Sequence, residues 1–162
     1  MPQKSKIRVI KIVVDTNIIF NVLLNTNGLI GELLFNSEGV YEFYSCDYMR
    51  SEIEKHWAKL KRISKLTEQE LDESRFQVFS KINFINEKLI PSKIWLTTQA
   101  IVEKIDIDDA AFVALSKYLK GGLWTGDKVL HSGLRSKKFK SVFNTTELNK
   151  HRELALSKKL NL

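Results

Sequence analysis

The stretch KIVVDTNIIF, residues 11–20, places the strongest constraint on how this chain folds. Its Val and Ile residues are dense enough to predict a strand that is covered on both faces, as in a parallel sheet between helices. Asp15 comes directly after that strand, where nothing in a core favours a carboxylate. In α/β proteins the carboxyl ends of parallel strands form the edge at which ligands bind. The stretch therefore predicts an α/β fold and a functional role for Asp15.

Apolar periodicity along the rest of the chain alternates between strand and helix patterns. The predicted strands are 8–14, 40–45, 84–89, 123–125 and 140–144, and the predicted helices are 18–36 with a break near 25–28, 47–64, 68–82, 96–104, 108–120 and 129–135. The helix at 68 has a start signal, because Thr67 and Glu70 have the spacing of a capping box. This order predicts an α/β/α sandwich with a mostly parallel central sheet. We assign residues 1–145 to one domain and 146–162 to a basic C-terminal helix or tail.

Composition narrows the class of protein. With one cysteine, Cys46, the chain forms no intramolecular disulfide and no cysteine-based metal site. It has neither a signal-peptide pattern nor an apolar run of membrane-spanning length, so we predict a cytoplasmic protein that does not bind a membrane.

The net charge of +7 is unevenly distributed along the chain. Residues 1–11 carry four basic side chains and no acid, residues 135–162 carry eight basic side chains and two acids, and the middle sums to −3. Basic ends around an acidic centre favour a polyanionic partner directed onto a cation-binding pocket. The same charges also suit a solvated surface, so the pattern leaves both interpretations open.

Acidic side chains stand at four places where a purely structural account is strained. They are Asp15, Glu52, the group Asp106, Asp108 and Asp109, and Asp127. The ordinary explanations are a surface ion pair for Glu52, a helix cap for Asp108 or Asp109, and a turn for Asp127. Because parallel strands end at one edge, however, these carboxylates are expected to converge, and together they would need a cation. Oxygen ligands without a cluster of His or Cys favour Mg²⁺ or Mn²⁺ over zinc.

Four segments of the sequence resemble the PIN-domain family of metal-dependent nucleases, whose members include ribonuclease toxins of bacterial toxin-antitoxin pairs. The segments are VVDTNIIF, SEIEKHW, DDAAFVALS and WTGDKVL, in the family's order and roughly at its spacing. The resemblance extends from about residue 6 to residue 144. It implies the same sandwich fold and a Mg²⁺ or Mn²⁺ dependent endoribonuclease that cleaves RNA phosphodiesters.

The resemblance also implies which residues form the site. The catalytic and metal-binding acids would be Asp15, Glu52, Asp109 and Asp127, and the supporting polar residues would be Asn17, Ser45 and Thr125. Asp109 is preferred over Asp106 and Asp108, because the small residues after it then match the family's helix. Many relatives carry one more acid where this chain has Val129, so binding of one or two metal ions stays open.

Other functions are compatible with parts of the pattern. A non-catalytic PIN-like module that binds RNA or protein would keep the fold and lose turnover. A phosphatase-like α/β enzyme would also place an acid after the first strand, but such enzymes need a second acid where this chain has Asn17. RNA as the substrate rests on the resemblance. An antitoxin protein is a candidate partner, and a homodimer is a further expectation because many relatives dimerise.

Overall fold

A parallel sheet of five strands is the centre of the fold in the computed structural model, which describes residues 8–102 and 107–160. The strands are β1 (Ile10–Val14), β2 (Tyr41–Cys46), β3 (Ile82–Ile85), β4 (Gly122–Trp124) and β5 (Val142–Phe143). All pairings are parallel and the order is β3-β2-β1-β4-β5. Helices lie on both sides of the sheet. The predicted α/β fold with a parallel sheet is therefore confirmed.

The helices of the described residues connect the strands and cover the sheet. They are α1 (Thr16–Leu24), α2 (Leu29–Phe35), α3 (Asp47–Lys55), α4 (Trp57–Ser64), α5 (Glu68–Ser80), α6 (Ser92–Val102), α7 (Ile107–Tyr118), α8 (Lys128–Ser136) and α9 (Thr145–Leu160). The predicted break between α1 and α2 is present, and α5 begins with the predicted capping box, in which Thr67 and Glu70 each bond the other's backbone N–H. Helix α7 packs on β1, β2 and β4, and α6 packs on α7.

Three predicted elements depart from the structure by more than a shift of one or two residues. The helix predicted at 47–64 is divided into α3 and α4 at His56, whose φ of −101° and ψ of 12° leave the helical region without a Gly or Pro to signal it. The strand predicted at 84–89 is β3 followed by a 3₁₀ helix, Glu87–Leu89. The helix predicted at 96–104 is α6, which starts earlier, directly after Pro91, since proline is well tolerated where a helix begins. Residues 103 and 104 of that prediction lie outside the described residues.

The middle strand β1 is buried as predicted. Ile12, Val13 and Val14 are at most 1 % exposed, and β2 and β4 flank them on either side. Strand β4 approaches β1 closely at Gly121, where a Cβ atom would lie 2.2 Å from the Lys11 carbonyl oxygen. A side chain at this position would push the two strands apart, so glycine here helps to keep the amino ends of β1 and β4 together.

Helices α1 and α2 are apolar because they contribute to the core. Among the described residues, no single helix is long and apolar enough to cross a membrane. Together α1 and α2 reach that length and composition, but they meet at 108°. Ile18, Ile19, Val22 and Leu23 of α1 are all buried in the core. Their apolar character is therefore explained by packing inside the fold.

Helix α9 packs against the rest of the fold through a buried arginine. The Nη1 atom of Arg152 donates to the Asn36 carbonyl oxygen at 3.1 Å, and its Nη2 atom pairs with Glu32 on α2. The Tyr41 hydroxyl on β2 donates to the Leu148 carbonyl oxygen at 3.1 Å. These contacts join α9 to both α2 and β2. A domain boundary between residues 145 and 146 stays a prediction.

Candidate active site

Asp15 lies at the topological switch point of the sheet, where the order in which the chain adds strands reverses. From β1 the chain builds β2 and β3 on one side, and it then crosses to form β4 and β5 on the other. The carboxyl ends of β1 and β4 therefore diverge into helices on either side of a crevice, which is where open α/β sheets bind ligands. Asp15 follows β1, and its backbone N–H donates to the Trp124 carbonyl oxygen of β4 at 3.0 Å.

Hydrogen bonds connect the polar residues that follow β1 and β4. The Thr125 hydroxyl donates to Asp15 Oδ2 at 2.7 Å, and the Asn17 amide donates to the same oxygen at 3.3 Å. Asn17 Oδ1 in turn accepts from the Gly126 backbone N–H at 3.0 Å. The structure therefore brings together Asp15, Asn17 and Thr125, three of the residues predicted for the site. Asn17 holds the two loops together as well as orienting the carboxylate.

The electrostatics around Asp15 are unfavourable for its charge. Asp15 is 4 % exposed, and burial raises the pKa of its carboxyl above the usual 3.8. Hydrogen bonds from Thr125 and from the Thr16 backbone act against this rise in pKa, while the nearby charges of Asp127 and Glu52 add to it. Two of the other predicted acids, Glu52 and Asp127, therefore lie close enough to Asp15 to repel its charge.

Asp127 also caps a helix. It precedes α8, and its Oδ1 atom accepts from the backbone N–H groups of Val129 and Leu130 at 2.9 and 3.1 Å. Its own backbone N–H donates to the Thr125 hydroxyl oxygen at 3.1 Å. The sequence suggested a turn residue as the ordinary explanation for this acid, and the structure shows a helix cap instead, which fixes Oδ1 while the charge of the carboxylate still reaches Asp15.

The remaining predicted residues surround this edge. Glu52 is half-buried on α3, in agreement with its predicted place beside the apolar stripe, and Ser45 is buried and donates to the Val14 carbonyl oxygen at 2.9 Å. Asp109 is half-buried in the first turn of α7. Asp106 and the side chain of Asp108 lie outside the described residues, so the choice among the three acids of this group stays a prediction.

Two further acids near this edge were not predicted. The buried Cys46 thiol has a raised pKa because of its burial and, after that, because of the charges of Glu87, Asp47, Asp15 and Glu52. Asp47 directly follows β2, and Glu87 follows β3 and accepts from the Tyr48 backbone N–H. The rule that selected Asp15, an acid after a parallel strand, also applies to Asp47 after the predicted strand 40–45, but it does not find Glu87, which lies inside the predicted strand 84–89.

The acids lie near one another, but their side chains are not arranged as a complete set of metal ligands. Within residues 8–102 and 107–160, so far as their side chains are described, no group of three or more His, Cys, Asp or Glu residues is arranged to hold a metal ion. The chemistry of the donors nevertheless suits a hard cation, because they are carboxylates supported by a hydroxyl and an amide. A buried carboxylate with a raised pKa and two acidic neighbours is also a group that a cation would stabilise.

Comparison with known proteins identifies the family of this fold. The PIN domain model matches residues 13–159, nearly the whole chain. The chain belongs to the PIN domain family. The match continues through most of α9, beyond residue 144 where the resemblance was seen in the sequence. PIN domains are generally nucleases, and such nucleases generally use divalent metal ions.

A solved structure shows the same fold. VapBC2 from Rickettsia felis, bound to a DNA fragment from its promoter, matches with a TM-score of 0.57 over 83 % of this chain and 98 % of that chain. The two sequences are 12 % identical, so the likeness concerns the fold. No curated protein matches the sequence. The assignment of the chain to the PIN domain family therefore rests on the family match, and the solved structure supports the fold.

Proposed function

We propose that this PIN domain is a Mg²⁺ or Mn²⁺ dependent endoribonuclease. The observation that carries the proposal is the environment of Asp15. A carboxylate that is 4 % exposed accepts from two neutral side chains and lies beside two further acids, at the crevice of a parallel sheet. A structural role alone gives no reason to gather like charges around a buried acid, whereas binding of a divalent cation does.

The residues take different roles in this proposal. Asp15, Glu52, Asp109 and Asp127 would hold the cation, which when bound polarises a phosphodiester and lowers the pKa of an attacking water. Thr125 and Asn17 orient the Asp15 carboxylate through the bonds described above. Ser45 ties β2 to the end of β1 and so supports the position of Asp15. Basic surface residues would hold the RNA backbone.

We also propose that the protein acts with a partner. The solved VapBC2 complex supports an antitoxin protein as that partner, and a toxin of a toxin-antitoxin pair is the corresponding biological role. A homodimer and a cytoplasmic location belong to the same proposal. Co-purification of this chain with the product of an adjacent small gene would test the partner, and the mass of the purified protein in solution would test the dimer.

Cleavage of a labelled single-stranded RNA tests the activity. The purified chain should cut the RNA with Mn²⁺, and a chelator should stop the reaction. The Asp15→Asn variant, purified in the same way, should lose at least about a hundredfold in rate, since it removes one of the charges that would hold the cation. Equal cutting by the variant would show that a contaminating ribonuclease or another site is responsible.

A matched control uses an exposed acid outside the cluster. Asp72 lies on α5, where it pairs with Arg75, and its side chain is 50 % exposed. Asp72→Asn removes the same charge as Asp15→Asn and should keep the rate of the wild type. If the chain binds RNA but neither protein cuts it under any metal condition, the non-catalytic RNA-binding module would replace the nuclease as the explanation.

A further inference from the structure

The edge of the sheet opposite the acids is basic. Lys11 is the second residue of β1, Lys120 precedes β4, and Lys137, Lys138 and Lys140 precede β5. All five side chains are exposed. Because the strands are parallel, their amino ends share one edge, and it lies about 17 Å from the carboxyl edge along the five residues of β1.

The strand register brings these lysines together. Ile12 pairs with Gly122, so Lys11 lies across from Gly121, which directly follows Lys120. Leu123 pairs with Val142, and two residues earlier on each strand Gly121 and Lys140 are neighbours. Lys11 and Lys140 are thus on strands two positions apart, about 10 Å across the sheet. The row of positive charge spans β1, β4 and β5.

Few carboxylates compensate this charge. Among the described residues, Lys120, Lys137, Lys138 and Lys140 form no ion pair. The acids near this edge lie towards β2. Glu42 pairs in register with Lys11 and accepts from the Tyr44 hydroxyl, and Glu38 pairs with Lys81. The part of the edge formed by β4 and β5 therefore keeps its positive charge.

Two of these lysines occupy backbone positions that normally belong to glycine. Lys120 and Lys138 have φ values of 53° and 64°, in the left-handed region. Each follows a helix that ends in a Schellman motif, since Gly121 N–H donates to Ser116 and Phe139 N–H donates to Leu134, each across six residues. A side chain is strained in this conformation and glycine is not. Helix-dipole compensation explains a positive charge near a helix end, but it does not require lysine at the strained position itself.

We propose that the lysines at the amino edge of the sheet, residues 120, 137, 138 and 140 with Lys11, form a second RNA-binding surface that contacts the phosphate backbone away from the catalytic edge. Exposed amines at this spacing suit phosphates, and those that follow α7 and α8 have no ion-pair partner among the described residues, whereas Lys11 lies over the Tyr44 ring and beside Glu42. The lysines at strained positions are explained if their charge is used. The proposal rests on RNA as the partner of the proposed nuclease. It adds that the RNA is held at both ends of the strands.

Glycine substitutions separate a binding role from a structural one. The double variant Lys120→Gly and Lys138→Gly removes two charges and relieves two strained residues, so its Tm should equal or exceed that of the starting protein, by up to about 2–4 °C for each site. Its affinity for RNA should fall. Each lost phosphate contact lowers the salt slope of binding by about 0.7, so two contacts lower it by about 1.4 and weaken binding about 25-fold at 0.1 M salt.

Binding is measured by fluorescence anisotropy with a labelled single-stranded RNA of about 20 nucleotides, long enough to reach both edges. All variants are made in the Asp15→Asn background with a chelator present, so that no cleavage is needed. Lys120→Arg with Lys138→Arg keeps the charge and should keep the affinity. Lys65→Gly relieves another left-handed residue, with φ of 56°, at the end of α4 near the start of α5, and it should leave the affinity unchanged.

The results distinguish this proposal from the proposed nuclease activity. Loss of affinity and salt slope in the glycine double variant, with recovery in the arginine variant, supports the surface even if the wild type cuts no RNA. Unchanged affinity in the double variant, or in a second variant with Lys137→Ser and Lys140→Ser, overturns it even if the wild type is an active ribonuclease. A lower Tm with unchanged affinity would assign the lysines to stabilising the helix ends.

Discussion

Replacing Asp15 with asparagine should make the protein more stable while removing its activity. Asp15 is almost fully buried, and its charged form is disfavoured by burial and by the charges of Asp127 and Glu52. Asparagine has nearly the same shape and retains an oxygen that can accept from Thr125. The variant therefore removes a buried, repelled charge and keeps the hydrogen bond that orients the side chain.

The size of the effect follows from the link between pKa and stability. Each unit by which folding raises the pKa of Asp15 costs the charged protein about 1.4 kcal/mol. We expect Asp15→Asn to increase the free energy of unfolding by on the order of 1 kcal/mol at neutral pH, after the cost of fitting an amide N–H₂ among the neighbouring groups. For a chain of this size that gain corresponds to a rise in Tm of about 2–4 °C.

The pH dependence has a definite sign. Since the native pKa of Asp15 lies above the usual 3.8, the folded state binds the proton more tightly than the unfolded state. The contribution of the protonated Asp15 carboxyl to the stability of the wild type is fully present below about pH 3.8, and it is lost as the pH rises through the native pKa. The advantage of the variant should therefore be near zero in acid and full at neutral pH.

Thermal melts with a chelator and with Mn²⁺ provide the assay. With chelator the variant should melt above the wild type by the amount given above. A cation at about one hundred times its Kd would stabilise the wild type by about 2.7 kcal/mol, and the variant should respond much less. A variant that melts below the wild type at neutral pH, or that responds equally to Mn²⁺, would refute the account of Asp15 as a repelled metal ligand.

Three further predictions concern the carboxyl edge of the sheet and helix α9, which follows β5. Thr125→Val removes the hydroxyl that donates to Asp15, so RNA cleavage should slow while the free energy of unfolding falls by only about 1 kcal/mol, which melts and rates together would show. Asp127→Ser keeps a good helix cap and loses the carboxylate, so it should melt near the wild type without cutting RNA, whereas Asp127→Ala should also lose about 1 kcal/mol. Burial acts to raise the pKa of Glu147, but its hydrogen bonds outweigh this and lower it, so its contribution is present above the usual 4.5 and is lost in acid. Glu147→Gln should therefore lower Tm at neutral pH and match the wild type in acid melts.

The parts of the fold that were predicted are those with strong local signals. The dense run of Val and Ile identified β1, and the capping box identified the start of α5. The break at His56 has no such signal, because the apolar stripe of residues 47–64 continues across it. The shift of β3 has a similar cause: Ile82–Ile85 and the residues after it are a short, mixed segment whose pairing is decided by β2 rather than by its own pattern.

The neighbours of Asp15 were predictable by type more than by position. That acids gather at one edge followed from parallel strands, and the hydrogen bond between Thr125 and Asp15 joins residues 110 positions apart in the sequence. Which acids come closest depends on the helices that follow each strand. Asp47 and Glu87 follow strands just as Asp15 does, but their local sequences contain no contrast between a buried strand and an acid as sharp as the one in IVVD.

Asp127 shows why sequence alone cannot choose between a structural and a functional acid. Helix capping and cation binding both place a carboxylate at the start of a helix that follows a strand, since both use the positive end of the helix and the open edge of the sheet. In this fold one oxygen of Asp127 caps α8, and the charge of the same carboxylate raises the pKa of Asp15. Capping holds the carboxylate in one orientation beside Asp15, where the proposed cation would bind. An aspartate at this position is therefore explained by the helix cap, by the proposed cation site, or by both.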